Sequence, residues 1–142
     1  ELARLTAARF LSARQAEAVD TGSILRLFSS PLGKRIMSAD ARKREFKFSL
    51  LCPAEKFFPG GEGESVLMQG VIDCMIEEAG ELTIIDYKTD RVRGEETAER
   101  AQTYSKQLEA YAYAAQRMTG KPVRECVLYF LYSGETVKSS CK

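Results

Sequence analysis

Asp73, Asp86 and Lys88 interrupt two otherwise apolar runs in the stretch GVIDCMIEEAGELTIIDYKTD, Gly70 to Asp90. The stretch reads as two β-strands joined at EEAGE. A two-residue loop at Ala79–Gly80 sets Glu78 opposite Glu81 and, further along, Asp73 opposite Asp86. Opposed residues share a face with Cβ atoms roughly 4.5–5.5 Å apart. The two-residue side-chain period adds Lys88 to that face, beside Val71 and Ile84. Two facing carboxylates repel unless positive charge lies between them. Lys88 supplies part of it, and a hard divalent cation taking one oxygen from each aspartate supplies more. Such a cation polarises a phosphate and lowers the pKa of its bound water. Lys88 is then placed to position the attacking water or to offset charge building on phosphorus. The chemistry such a set would support is phosphoester hydrolysis. A three-residue loop would break this register, and a hairpin whose acids and lysine form a surface ion pair is the plain alternative.

The elements that must hold these residues follow from periodicity. Leu2, Leu5, Phe10 and Leu11 form an amphipathic stripe, and SARQAEAVD reads as a short helix with Ser12 as N-cap. TGSILRLFSSPLGKRIMSA gives two further turns or short helices, punctuated by Pro31 and Gly33. REFKFSLLC alternates like a half-buried strand, and PAEKFFPGGEGE is a loop. A single long helix is expected from about Glu96 to Thr119, with Tyr104, Leu108, Tyr111, Ala112, Ala115 and Met118 recurring along one side. VRECVLYFLY is the final and most apolar strand. The expected fold is α/β (or α+β): a small mixed sheet flanked by helices, with the crossover after Asp90 making the last strand parallel to its partner. Residues 1–41 form a helical flank and residues 42–142 the β-hairpin/helix/β core of one domain.

Composition narrows the chemistry. A chain of 142 residues with 44% hydrophobic and 29% charged content supports one globular domain. It opens on Glu1 and reads as a piece of a longer chain. No apolar run approaches the ~20 residues of a membrane span, so no membrane partner is expected and a cytoplasmic location is. There is no histidine, which excludes a Ser-His-Asp or Cys-His mechanism and His-ligated zinc within the chain. Cys52, Cys74, Cys126 and Cys141 lack CxxC spacing, which argues against structural zinc or an iron–sulfur cluster; Cys74 and Cys126 read as buried thiols. Any metal therefore sits among oxygen ligands, as Mg²⁺, Mn²⁺ or Ca²⁺ do. Six basic residues between Lys34 and Lys47 could meet phosphates or simply form a solvated face.

GVID, IIDYKTD and YSKQLEAYAYA, in this order and at these intervals, resemble the RecB-type nucleases of the PD-(D/E)XK superfamily, and within them the nuclease domains of AddA-type helicase–nucleases. SPLGKRI, KREFKFSL and GKPVRECVLYFLY are similar to the same domains, so the resemblance runs from about Ala18 to Tyr132. It implies a restriction-endonuclease-like core. It also implies that Asp73 is the metal-binding acid of G-x-x-D, that Asp86 and Lys88 are the acid and lysine of D-x-K, and that the Tyr87 backbone carbonyl is a further metal ligand. Gln107 and Tyr111 match Q-x-x-x-Y and would hold substrate or buttress the site; Glu45 matches the acid of an R-E motif; Thr89 and Asp90 would support. Many relatives of this type carry a histidine on an upstream helix, and this chain departs from that pattern.

The expected function is a Mg²⁺-dependent deoxyribonuclease, with Mn²⁺ substituting, acting as an exonuclease on mainly single-stranded DNA in double-strand break repair and recombination in bacteria. The implied partners are helicase domains of the same parent chain and an AddB-like protein. There is no GxxxxGK[ST] loop, so ATP belongs to those helicase domains alone. The alternatives are a non-catalytic nuclease-like module that binds DNA or docks a partner, and a CRISPR-associated or phage recombination exonuclease of the same type.

Overall fold

Short helices with strong local stop signals build the first part of the chain. The structure, a computed structural model, describes residues 1–139. Helix α1 spans Leu2–Ala7 and α2 spans Ala13–Ala18. Ser12 caps α2 through a reciprocal pair of hydrogen bonds with Gln15. Asp20 caps α3 (Thr21–Ser29) by accepting from the Ser23 N–H. Ser30 ends α3 and caps α4 (Pro31–Ser38), whose first turn places Pro31 where no amide is needed. The first stripe does not reach the core: α1 and α2 bury no residue, and Phe10 is 75% exposed. Helices α3 and α4 do reach it, through Leu27, Leu32 and Ile36.

Five strands form one sheet in the order β1-β2-β3-β4-β5. They are β1 (Ala41–Pro53), β2 (Ser65–Glu78), β3 (Glu81–Lys88), β4 (Val123–Phe130) and β5 (Glu135–Ser139). The β3–β4 pair is parallel and the others antiparallel. The small mixed sheet flanked by helices is as the sequence implied. Ala79 and Gly80 both have positive φ, 52° and 83°, which is the two-residue hairpin geometry whose twist suits the flanking strands. Both faces of β3 and β4 are covered. Ile84, Cys126 and Leu128 pack under the crossover helices, while Ile85, Val127 and Tyr129 pack under α3 and α4. That double burial explains why these strands read as continuous apolar runs.

Two expectations are corrected. The long helix is two, α5 (Glu95–Gln102) and α6 (Ser105–Thr119), separated at Thr103–Tyr104. A fifth strand, β5, follows β4, which is therefore not the last. β5 is short and largely exposed, with Lys138 on its edge, so it lacks an apolar signature. Among the cysteines, Cys52 and Cys74 are free and buried; Cys126 is buried but disulfide-bonded rather than a thiol.

The basic cluster is partly consumed inside the fold. Arg35 bridges Glu78 at 2.6 Å and Glu125 at 2.8 Å, and its guanidinium holds the Glu78 carboxyl below its ordinary range. Arg42 donates to the Ile36 and Met37 carbonyls. Among the described residues no helix is long and apolar enough to cross a membrane.

Candidate active site

The hairpin register is the one the two-residue loop requires. Glu78 pairs with Glu81 and Cys74 with Ile85, which brings Asp73 level with Asp86. The pairing between β1 and β2 skips one position: Arg44 pairs with Cys74 and Phe46 with Ile72, leaving Glu45 and Asp73 out of the ladder. At this gap β2 changes the face it buries. Ile72 packs with Phe48 under α6, whereas Cys74 and Ile76 pack under α3 and α4. Glu45 takes up the distortion with φ of 50°. Freed from the ladder's regular pleat, Asp73 turns its Oδ2 to accept the Tyr87 backbone N–H at 2.9 Å.

From β3, Asp86 and Lys88 face the crossover helices. Asp86 is 3% exposed, and the Lys88 Nζ lies 2.6 Å from its Oδ2. Burial raises the Asp86 pKa, Lys88 pulls it back, and the nearby Asp73 adds to the rise. Lys88 Nζ also donates to Gln107 Oε1 at 2.9 Å, and Gln107 Nε2 donates to Tyr111 Oη at 2.8 Å. The four-residue spacing on α6 stacks Gln107 and Tyr111 on one side, so one amide relays between them. Tyr111 packs edge-on against Phe48 with ring centroids 5.8 Å apart. Phe48 in turn fills the space over Gly70, where an added Cβ would lie 2.6 Å from the ring. The glycine of GVID is thus a steric requirement of this stack.

Tyr104 belongs to the site as well. Its ring lies under the Lys88 ammonium, 3.7 Å from Nζ to centroid. Its Oη donates to Asp90 Oδ2 at 2.9 Å, and Arg100 Nε donates to Asp90 Oδ1 at 2.6 Å. Sequence reading placed Tyr104 on a core stripe and Asp90 among supporting residues. It missed Tyr104 as a lysine neighbour because the contact depends on the break at Thr103–Tyr104, which carries no Gly or Pro. Gln107 reaches the lysine directly, and Tyr111 only through Gln107. Tyr87 points its ring the other way, into the cluster beneath α3 and α4, where burial raises its hydroxyl pKa.

The donor set suits a hard cation. Asp86 Oδ2 is a buried oxygen with the lysine charge beside it but no hydrogen bond of good geometry. Among the described residues no three Cys, Asp or Glu side chains gather into a ready-made cage. A divalent ion would therefore draw on Asp73, Asp86 and backbone oxygen, with the carbonyl of Tyr87, the residue after Asp86, as the further ligand the family likeness implies. Glu45 is exposed but flanks Asp73 across the ladder gap. Its left-handed backbone gives a separable test. Glu45→Gly is expected to raise stability by about 1 kcal/mol through relief of that conformation, read as a shift of the urea midpoint at unchanged slope. An unchanged or lowered midpoint would show that the side chain supports the fold.

An acid pair and a lysine meet at the end of the hairpin, contacted by the crossover helix, and this chain belongs to the PD-(D/E)XK nuclease superfamily, whose family profile matches residues 1–140. Within it, the chain is similar to the A-type subunits of ATP-dependent helicase/nucleases. The relative from Bacillus mycoides is 37% identical over 96% of this chain, and that from Desulforudis audaxviator 38% identical over 94%. The chain spans only 12% and 11% of those two proteins' lengths.

Proposed function

We propose that this chain is the metal-dependent nuclease domain of an AddA-type helicase–nuclease, cleaving single-stranded DNA from its ends during double-strand break repair and recombination in the bacterial cytoplasm. The observation that carries the reading is the joint placement of Asp73, Asp86 and Lys88 at the one gap in the β1–β2 ladder. A nearly buried carboxylate paired with a lysine, and with a second carboxylate nearby, is costly in a purely structural hairpin and useful beside a cation.

Asp73 and Asp86 would hold Mg²⁺, or Mn²⁺ in its place, with the Tyr87 carbonyl. When bound, the ion supplies charge neutralisation at the phosphate and acidification of water. Lys88 keeps a cationic donor at the edge of that oxygen cluster, where it can orient water and offset charge on a phosphodiester oxygen. Gln107 holds the ammonium from one side and Tyr104 from below, which leaves its third direction for Asp86 or substrate. Helicase domains of the parent chain and an AddB-like partner would deliver the strand.

The test is cleavage of end-labelled single-stranded DNA with Mg²⁺ or Mn²⁺ by the parent chain and by its Asp86→Ala and Lys88→Ala variants. Each variant is expected to lose activity about 10³-fold. Metal-dependent cleavage surviving in Asp86→Ala would remove the assignment. Tight DNA binding with no cleavage by the parent would favour the non-catalytic alternative.

A further inference from the structure

β3 ends at Lys88, and the segment beyond it leads to α5. There, starting at Thr89, lies a groove of about 280 Å³ between α3 and the segment that leads to α5, with Arg91, Leu131 and Tyr132 among its walls. It sits at the carboxyl ends of the parallel pair β3 and β4, where open α/β sheets present their ligand crevices. Tyr132 is 42% exposed, and the Arg93 guanidinium lies 4.8 Å from its ring centroid. Arg26, exposed on α3, donates to the Tyr132 carbonyl at 3.0 Å, which fixes the tyrosine backbone without covering the ring.

One arginine thus lies against the ring, a second binds the tyrosine backbone and a third lines the groove. The acids near them are already engaged. Asp20 caps α3. Glu135 accepts from the Gly94 N–H and from Thr97, and these bonds pull its pKa down. The same bonds pin the segment carrying Arg91 and Arg93 to β5, so the two arginines project from an anchored turn. A planar ring flanked by cations serves a chain of bases on a phosphate backbone: bases stack on the ring, and guanidinium groups meet the phosphates. A duplex keeps its bases stacked inside and cannot use the ring.

We infer that the Tyr132 groove is a binding subsite for single-stranded nucleic acid, holding an unpaired base on Tyr132 with phosphates on Arg91 and Arg93. Its place one residue beyond Lys88 rests on the nuclease reading for its role in cleavage, but its binding does not.

The chain contains no tryptophan, so Tyr132→Trp installs a single fluorophore at the groove. Oligodeoxythymidylate added in EDTA, where cleavage is blocked, is expected to quench this fluorescence, while a blunt duplex of equal length leaves it unchanged. By anisotropy of the labelled oligonucleotide, Tyr132→Leu should weaken binding about tenfold. Arg91→Gln with Arg93→Gln should lower the log–log salt slope by about 1.4. Absent quenching, or affinity of Tyr132→Leu within twofold of the parent, overturns the inference. Equal quenching by the duplex overturns the single-strand assignment. Quenching by the oligonucleotide in a chain that cleaves nothing with Mn²⁺ would retain the subsite and remove the nuclease reading instead.

Discussion

Lys88→Met and Asp86→Asn are expected to abolish cleavage alike and to move stability in different ways. Lys88→Met should cost about 3 kcal/mol in metal-free buffer, because it strips the partner from a carboxylate with nowhere to go. The Asp86 side chain is 4% exposed, and its position on β3 is fixed by the parallel pairing with Leu128. Asp86→Asn should stay within about 1 kcal/mol of the parent. It removes the buried charge, and the lysine it leaves is already satisfied by Gln107 and the Tyr104 ring on a stem long enough to reach water. Urea titrations of the three chains decide it. Mn²⁺ should recover part of the loss in Lys88→Met by binding the folded state, and nothing in Asp86→Asn. A larger loss in Asp86→Asn than in Lys88→Met would show that the aspartate is held for structure.

The second large effect falls on Tyr104. Its ring supports the ammonium at 3.7 Å, and its hydroxyl is anchored through Asp90 to Arg100. Tyr104→Leu keeps an apolar filler and removes the π face, so kcat should fall about 10- to 100-fold, the range for partners that orient a reactive group. KM for DNA should hold, since the ring touches Lys88 rather than the groove at Tyr132. Tyr104→Phe retains the ring and should keep most of the rate. A rise in KM with kcat intact would make Tyr104 a substrate contact and not a positioning residue.

The hairpin was legible because its information is local. Alternation of period two and an Ala-Gly turn suffice to place Asp73 against Asp86, and Lys88 follows by parity. The Gln107–Tyr111 pair was legible from the family likeness, with helical spacing adding that both lie on one side. What escaped depends on contacts between distant segments. Tyr104 meets Lys88 at the break between α5 and α6, and no breaker residue in AQTYSK announces that break. The face change at Asp73 is invisible in β2 alone, since Ile72, Cys74 and Ile76 keep perfect alternation while serving two different cores. β5 escaped because an exposed edge strand needs neither apolar content nor periodicity.

Gly70 links parts of the molecule that topology keeps separate. Phe48 occupies the room a side chain would take there, and rests edge-on against Tyr111. From Tyr111 the contact runs through Gln107 to the Lys88 ammonium. The outer reach of β1 and β2 is accordingly geared to the Lys88 end of β3, with an aromatic pair as the teeth. A partner protein or a passing strand that tilts this hairpin by a fraction of an ångström would be felt as a displacement of one amine.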